Sequence, residues 1–131
     1  MLFRSDGKTP ALRRLAQAWN DAGMDALLLM QRAVTAVGYE GAGDYFCDPL
    51  GRLRRRRGNE VAPFIFAGVQ ILHPRLFRNA PAGAFSLNRV YDQAQEAGRL
   101  WGLVHDGLWF HVGTPEGLAE TEAALAGLRH T

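Results

Sequence analysis

The sequence predicts a domain in which strands and helices mix, of the α/β or α+β class. Three observations predict it. Ala26 to Met30 is a short, unbroken apolar run, the pattern of a strand covered on both faces. Phe64 to Leu72 is a longer apolar run rich in aromatic and branched residues, the strongest strand in the chain. Thr9-Pro10 and Thr114-Pro115 each pair a capping hydroxyl with a proline suited to the first helical position.

The elements follow in order. After Thr9-Pro10, Leu12, Leu15, Ala16 and Trp19 recur at helical spacing and are expected to face a core, with Asn20 to Gly23 ending the helix. No strand is expected before this helix, so the chain reads as a fold entered midway, its N-terminal half missing. Gly38 to Gly43 is glycine-rich but lacks the strand–GxGxxG–helix order of a dinucleotide site. A hairpin is expected from Asp44 to Cys47 and Arg52 to Arg55, turning at Asp48-Pro49-Leu50-Gly51. Gly68, inside the long strand, signals a close backbone approach by a ligand or another strand. Pro74 to Phe77 reads as one helical turn. Ser86 caps a helix whose Leu87, Val90, Ala94 and Ala97 point inward and which stops at Gly98. Leu100 to Val104 and Leu108 to Val112 read as strands joined by a tight turn at His105-Asp106-Gly107, and a last helix begins at Thr114-Pro115-Glu116.

The 131 residues suit one domain, 1–131, and no repeat, low-complexity stretch or long linker divides them. Apolar residues make up 47%, and the net charge is only +2, which argues against disorder and gives no electrostatic case for a nucleic-acid partner. Lys8 is the only lysine among 15 basic residues. Cys47 stands alone, so no disulfide framework exists within one chain, as in a reducing cytoplasm. The longest apolar stretch, Val61 to Leu72, is broken by Pro63, Gly68 and Gln70 and falls short of the roughly 20 residues that cross a bilayer. A cytoplasmic protein with no membrane partner is expected.

Few residues carry chemistry by themselves. In Trp109-Phe110-His111-Val112-Gly113-Thr114-Pro115-Glu116 a strand ends, the chain turns at Gly113 and a helix opens. That corner serves either as a plain strand-to-helix junction or as a place where helix-start amides favour an anion. His111 has no second ligand at zinc spacing. His73 and His105, at strand ends, read as solvated turn residues. Arg54 to Arg57 alternate faces if they lie on a strand, so they form no single patch. They read as an exposed hairpin arm, or one or two of them line a phosphate site.

Taken together, several of these segments resemble one family. Phe64-Ile-Phe-Ala-Gly-Val-Gln-Ile-Leu-His-Pro-Arg-Leu-Phe77 resembles the central strand of the sugar-1-phosphate nucleotidyltransferases, and Phe85-Ser-Leu-Asn-Arg-Val-Tyr91 is similar to the helix after it. Leu108-Trp-Phe-His-Val-Gly-Thr-Pro-Glu116 resembles that family's closing Trp-x-Asp-x-Gly-Thr segment. The Gly43 to Gly51 hairpin also matches, and the order is kept from about Thr9 to Leu125. Within the family, the pattern is most similar to N-acetylmuramate α-1-phosphate uridylyltransferases and enzymes labelled mannose-1-phosphate guanylyltransferases.

The resemblance implies an α/β, Rossmann-like nucleotidyltransferase fold with a mixed central sheet, of which this chain is the C-terminal, sugar-binding part. It implies as partners a nucleoside triphosphate and a sugar 1-phosphate, with Mg2+ as the ion. A sugar-phosphate oxygen attacks the α-phosphate in line and pyrophosphate leaves, chemistry that rests on positioning and charge neutralisation. By position, Gly43 matches the glycine that approaches the sugar, and Ala67 and Gly68 match the strand segment lining its pocket. Arg55, Arg56 and Arg57 fall near the family's Glu-Lys-Pro segment and imply a phosphate contact. His111 stands where relatives carry a metal-binding aspartate. It implies a metal contact, poorly suited to magnesium, or a phosphate contact instead. The glycine-rich nucleotide loop is absent, so the chain reads as a fragment of the enzyme, or alternatively as a non-catalytic interaction or regulatory domain of the same fold. A sheet cut at Ala26–Met30 is expected to leave an open edge and promote self-association.

Overall fold

A computed structural model describes residues 2–4, 11–36, 38–78, 87–105 and 109–111, with 2–4 and 109–111 described in backbone only. Its strands are β1 (Leu2–Arg4), β2 (Ala26–Arg32), β3 (Tyr45–Cys47), β4 (Leu53–Arg55), β5 (Phe64–Leu72), β6 (Leu100–Val104) and β7 (Trp109–His111). Its α-helices are α1 (Ala11–Ala18) and α2 (Leu87–Glu96), with 3-10 turns at Ala33–Thr35 and Pro74–Phe77. Both strands expected from apolar runs are present, and so is the single turn at Pro74.

Five strands form a mixed sheet in the order β4-β3-β5-β2-β6. β5 runs antiparallel to β2, and β6 lies parallel on its other side. A parallel neighbour needs a crossover, and α2 lies within the connection that supplies it. Residues 26–30 of β2 are all buried because both sheet faces are covered. Leu28 and Met30 join Tyr45, Val90, Tyr91 and Ala94 in the core beneath α2. Leu27 and Leu29 join Ala11, Leu15, Ile65 and Ala67 in the core beneath α1. Alternate side chains thus feed two separate cores, which explains the unbroken apolar run.

Several expectations are corrected. β2 is not a cut edge, since it is paired on both sides. A strand, β1, does precede α1, and it pairs with β7 in a separate two-stranded sheet. β6 and β7 lie in different sheets. Helix α1 buries Ala11 and Leu15, while Leu12 is 62% exposed and Ala16 is exposed too. On α2 the buried stripe is Val90, Tyr91 and Ala94, with Leu87 and Ala97 outside it. His105 is buried at the end of β6, where its amide donates to Met30 O at 2.6 Å, so it is not a solvated turn residue. His73 caps the 3-10 turn, its Nδ1 accepting from Arg75 N at 3.1 Å. Residues 5–10, 79–86, 106–108 and 112–131 lie outside the described set, and with them the Thr9-Pro10 and Ser86 caps, the His105-Asp106-Gly107 turn beyond its first residue, and the final helix.

Candidate functional site

The site is built from the β3–β4 hairpin, the first half of β5 and the buried face of α2. The hairpin turns where expected: Asp48 Oδ1 accepts from both Leu50 N and Arg52 N at 2.9 Å. Such a side-chain bond to the following backbone is what makes Asp a turn former. Ahead of the hairpin, Gly43 has φ +78°, and a Cβ there would run into the Ala62 carbonyl. Its close approach is to the chain's own backbone. Asp44 then acts as a strap, its amide donating to Phe64 O at 2.7 Å and its Oδ2 accepting from Phe66 N at 2.9 Å.

Gly68 lies in a bulge. Leu28 pairs with Gln70 but Met30 pairs with Phe66, so Leu29 alone faces residues 67–69 of β5. Gly68 takes φ +85° there, a conformation costly for any residue with a Cβ. The glycine signal in the sequence was therefore a bend in the long strand.

Between these elements lies a cavity of about 460 Å3, lined by Asp44, Tyr45, Arg55, Arg56, Gly58, Phe66, Asn88 and Tyr91. Phe66 and Tyr91 meet edge to face with ring centres 6.1 Å apart, and the Tyr91 hydroxyl donates to Gln70 Oε1. A smaller cavity of about 190 Å3 adjoins it, sharing Arg55 and Arg56 and adding Arg57, Asp92, Gln95 and Glu96.

Only Arg54 and Arg55 lie in β4 and point apart; contrary to the expected alternation, Arg55, Arg56 and Arg57 all line the smaller cavity. Arg54 lies 4.3 Å over the Phe46 ring and forks onto Glu60 at 3.0 and 3.1 Å. Arg55 points the other way and forks onto Asp92 at 2.9 and 2.6 Å, a bond that holds its pKa above the usual value. Arg56 uses only Nη1, donating to Gly58 O at 2.9 Å and Glu60 O at 3.3 Å. Its remaining guanidinium donors make no bond among the described residues. Arg56 therefore carries a charge that is anchored but incompletely used, at the junction of both cavities.

Of the residues singled out by sequence, Arg56 lines both cavities and Arg57 the smaller, while Gly43 sits one residue before the cavity wall. Ala67 is buried in the core beneath α1, and Gly68 is exposed at the bulge. His111 lies in β7 opposite Leu2, and its side chain is outside the described set. Sequence reasoning missed Asp44, Tyr45, Phe66, Asn88 and Tyr91. Asn88 and Tyr91 stand three apart on one helix, a spacing that places them on a common face.

The described residues do not fit magnesium. No three His, Cys, Asp or Glu side chains converge among them. The carboxylates near the cavity are committed elsewhere: Asp44 to Phe66 N, Asp92 to Arg55 and Glu60 to Arg54.

No model of a known protein family matches the sequence. The chain is 34% identical over 116 residues to an N-acetylmuramate α-1-phosphate uridylyltransferase of Caulobacter vibrioides, a match covering 88% of this chain and 48% of the relative. The chain thus spans about half the length of that relative. Among solved structures, a Bacillus anthracis protein assigned as a glucose-1-phosphate thymidylyltransferase, crystallised with sucrose, superposes with a TM-score of 0.61. That superposition covers 94% of this chain and 50% of the other at 14% identity, so it speaks to the fold alone. Over the stretch they share, the chain is thus similar in sequence to a sugar-1-phosphate nucleotidyltransferase and similar in fold to a second protein so assigned.

Proposed function

We propose that the chain is the C-terminal, sugar-binding part of a nucleotidyltransferase domain, and that the cavity between the hairpin and α2 receives a sugar 1-phosphate. The whole domain would transfer a nucleoside monophosphate from a nucleoside triphosphate to that sugar phosphate, releasing pyrophosphate. The observation that carries this reading is Arg56, anchored at one end, with unused guanidinium donors at a cavity that the Phe66–Tyr91 pair also lines. A guanidinium matches phosphate oxygens in geometry and charge, and an aromatic wall suits the apolar face of a sugar ring. Arg57, at the smaller cavity, is the second phosphate contact. Gly43 and Gly68 act through the backbone, by seating the hairpin and bending β5 beside the site.

His111 is proposed at the family's acidic metal position, contacting metal or phosphate. Magnesium belongs to this reading as the family's ion, and the described residues supply it no site. Among them, no helix is long and apolar enough to cross a membrane.

Calorimetric titration with N-acetylmuramate α-1-phosphate tests the proposal. The chain should bind it, and Arg56→Ala should weaken binding about 10- to 100-fold, the worth of a charge-assisted hydrogen bond. Absence of binding by the unaltered chain, or an unaffected Arg56→Ala variant, would remove the cavity from the reading.

A further inference from the structure

We infer that the Tyr45 hydroxyl is a specificity-determining donor of this cavity, reserved for an oxygen of the sugar itself and not for its phosphate. This rests on the sugar-phosphate reading above and adds a residue that the reading does not use. Tyr45 lines the cavity, is 2% exposed, and its Oη has no hydrogen-bond partner among the described residues. A buried hydroxyl without a partner is unfavourable, and native folds retain few of them.

The neighbouring polar groups are differently placed. Asp44 Oδ2 is taken by Phe66 N, the Tyr91 hydroxyl by Gln70, and Arg55 by Asp92. Tyr45 is the buried cavity hydroxyl without a partner among the described residues. Burial, the largest influence on it, raises its pKa, so it stays a neutral phenol. A neutral donor suits a hydroxyl, ether or amide oxygen. A phosphate is drawn first to the unused charged donors of Arg56.

The oxygen presents less than 1 Å2 of surface, so a ligand reaches it only when a neighbouring side chain yields. Arg55 is the neighbour able to do so. It is the cross-strand partner of Tyr45, and its fork on Asp92 is partly exposed. A sugar of the right shape would displace that fork enough to meet the phenol, while phosphate alone would have no reason to reach it.

Tyr45→Phe deletes only the hydroxyl. Affinities for N-acetylmuramate α-1-phosphate and for inorganic phosphate, and the melting temperature, are measured on both chains. The expected result is about tenfold weaker sugar-phosphate binding, unchanged phosphate binding, and a melting temperature equal to or above that of the unaltered chain. The last follows because an unpartnered polar atom has been removed. Equal sugar-phosphate affinity, or parallel loss of both ligands, overturns the inference and leaves the sugar-phosphate reading standing. A lower melting temperature or a failure to fold also overturns it, because the hydroxyl is then a structural group. If the unaltered chain binds no sugar phosphate, the functional reading itself fails, and this inference with it.

Discussion

At the scale of single residues, the most consequential charge is Asp25, at the start of β2. It is 9% exposed, yet two arginines reach it: Arg75 from the 3-10 turn and Arg99 from the residue before β6, the latter at 2.7 Å. Each arginine also binds backbone carbonyls of the α1–β2 loop, Arg75 at Asp21 and Met24 and Arg99 at Ala22. Three segments distant in sequence are thereby tied at one end of the sheet. Burial alone would raise the Asp25 pKa, but the hydrogen bonds and charges of Arg99 and Arg75 outweigh it and hold the carboxyl below its usual value. A carboxylate with a depressed folded-state pKa contributes stability above its unfolded pKa, and that contribution is lost as pH falls through the folded value. Asp25→Asn should therefore lower stability by about 3 kcal/mol at pH 7, since it leaves two arginines facing a neutral group. The difference between variant and parent should shrink progressively below about pH 4. Urea unfolding of both chains from pH 7 to pH 3 checks this; a gap that widens on acidification would contradict the assignment.

At the scale of elements, the hairpin depends on the seat that Gly43 gives it. With φ +78° and the Ala62 carbonyl where a Cβ would lie, Gly43→Ala meets both backbone strain and a clash with main chain, which cannot swing aside as a side chain would. A loss of about 2–3 kcal/mol is expected in urea unfolding. A stable Gly43→Ala chain that fails only in ligand binding would instead assign the glycine to ligand approach. The same elements show what was legible. β2 and β5 were plain because burial on both faces leaves an apolar run with few alternatives. The Asp48 turn was plain because its side chain closes its own loop. The stripe of α1 was misread because Leu12 and Ala11 lie on opposite sides of the core boundary, and leucine outweighs alanine in any hydrophobic pattern although here the alanine is buried. The pairing of β7 with β1 could not be read at all, since it joins opposite ends of the chain and no local signal encodes a distant partner. The cavity suffers likewise: Asp44 and Tyr45, Arg55, Arg56 and Gly58, Phe66, and Asn88 with Tyr91 come from four segments that only the tertiary fold assembles. Arg56 was legible as chemistry, but not as an arginine that lines both cavities with guanidinium donors to spare.

At the scale of the whole molecule, the question is which sheet edge is open. The end at β6 is covered, since the hairpin folds back over it. Arg52 bridges to Trp101, Gly102 N donates to Gly51 O at 2.8 Å, and the Arg52 guanidinium stands 5.3 Å over the Trp101 ring. Among the described strands, the unpaired side lies inside the sheet order instead. β3 pairs with β5 only at Tyr45 and Phe64, and the Asp44 strap accounts for Phe66 N. Beyond that point, among the described strands, β5 is paired with β2 alone. A strand with one unpaired side is a template for another, and a bulge such as that at Gly68 blunts only part of it. On the proposed reading the rest of the nucleotidyltransferase domain would cover this side. The isolated chain should therefore associate with itself as concentration rises, observed as a concentration-dependent shift in sedimentation. If β5 is the contact, backbone amides of residues 69–72 should exchange with solvent more slowly in the associated form. A single monomeric species at all concentrations would show the side to be closed. Association without added protection at 69–72 would move the contact to the exposed apolar residues, of which Val34, at 92% exposure, is the most prominent.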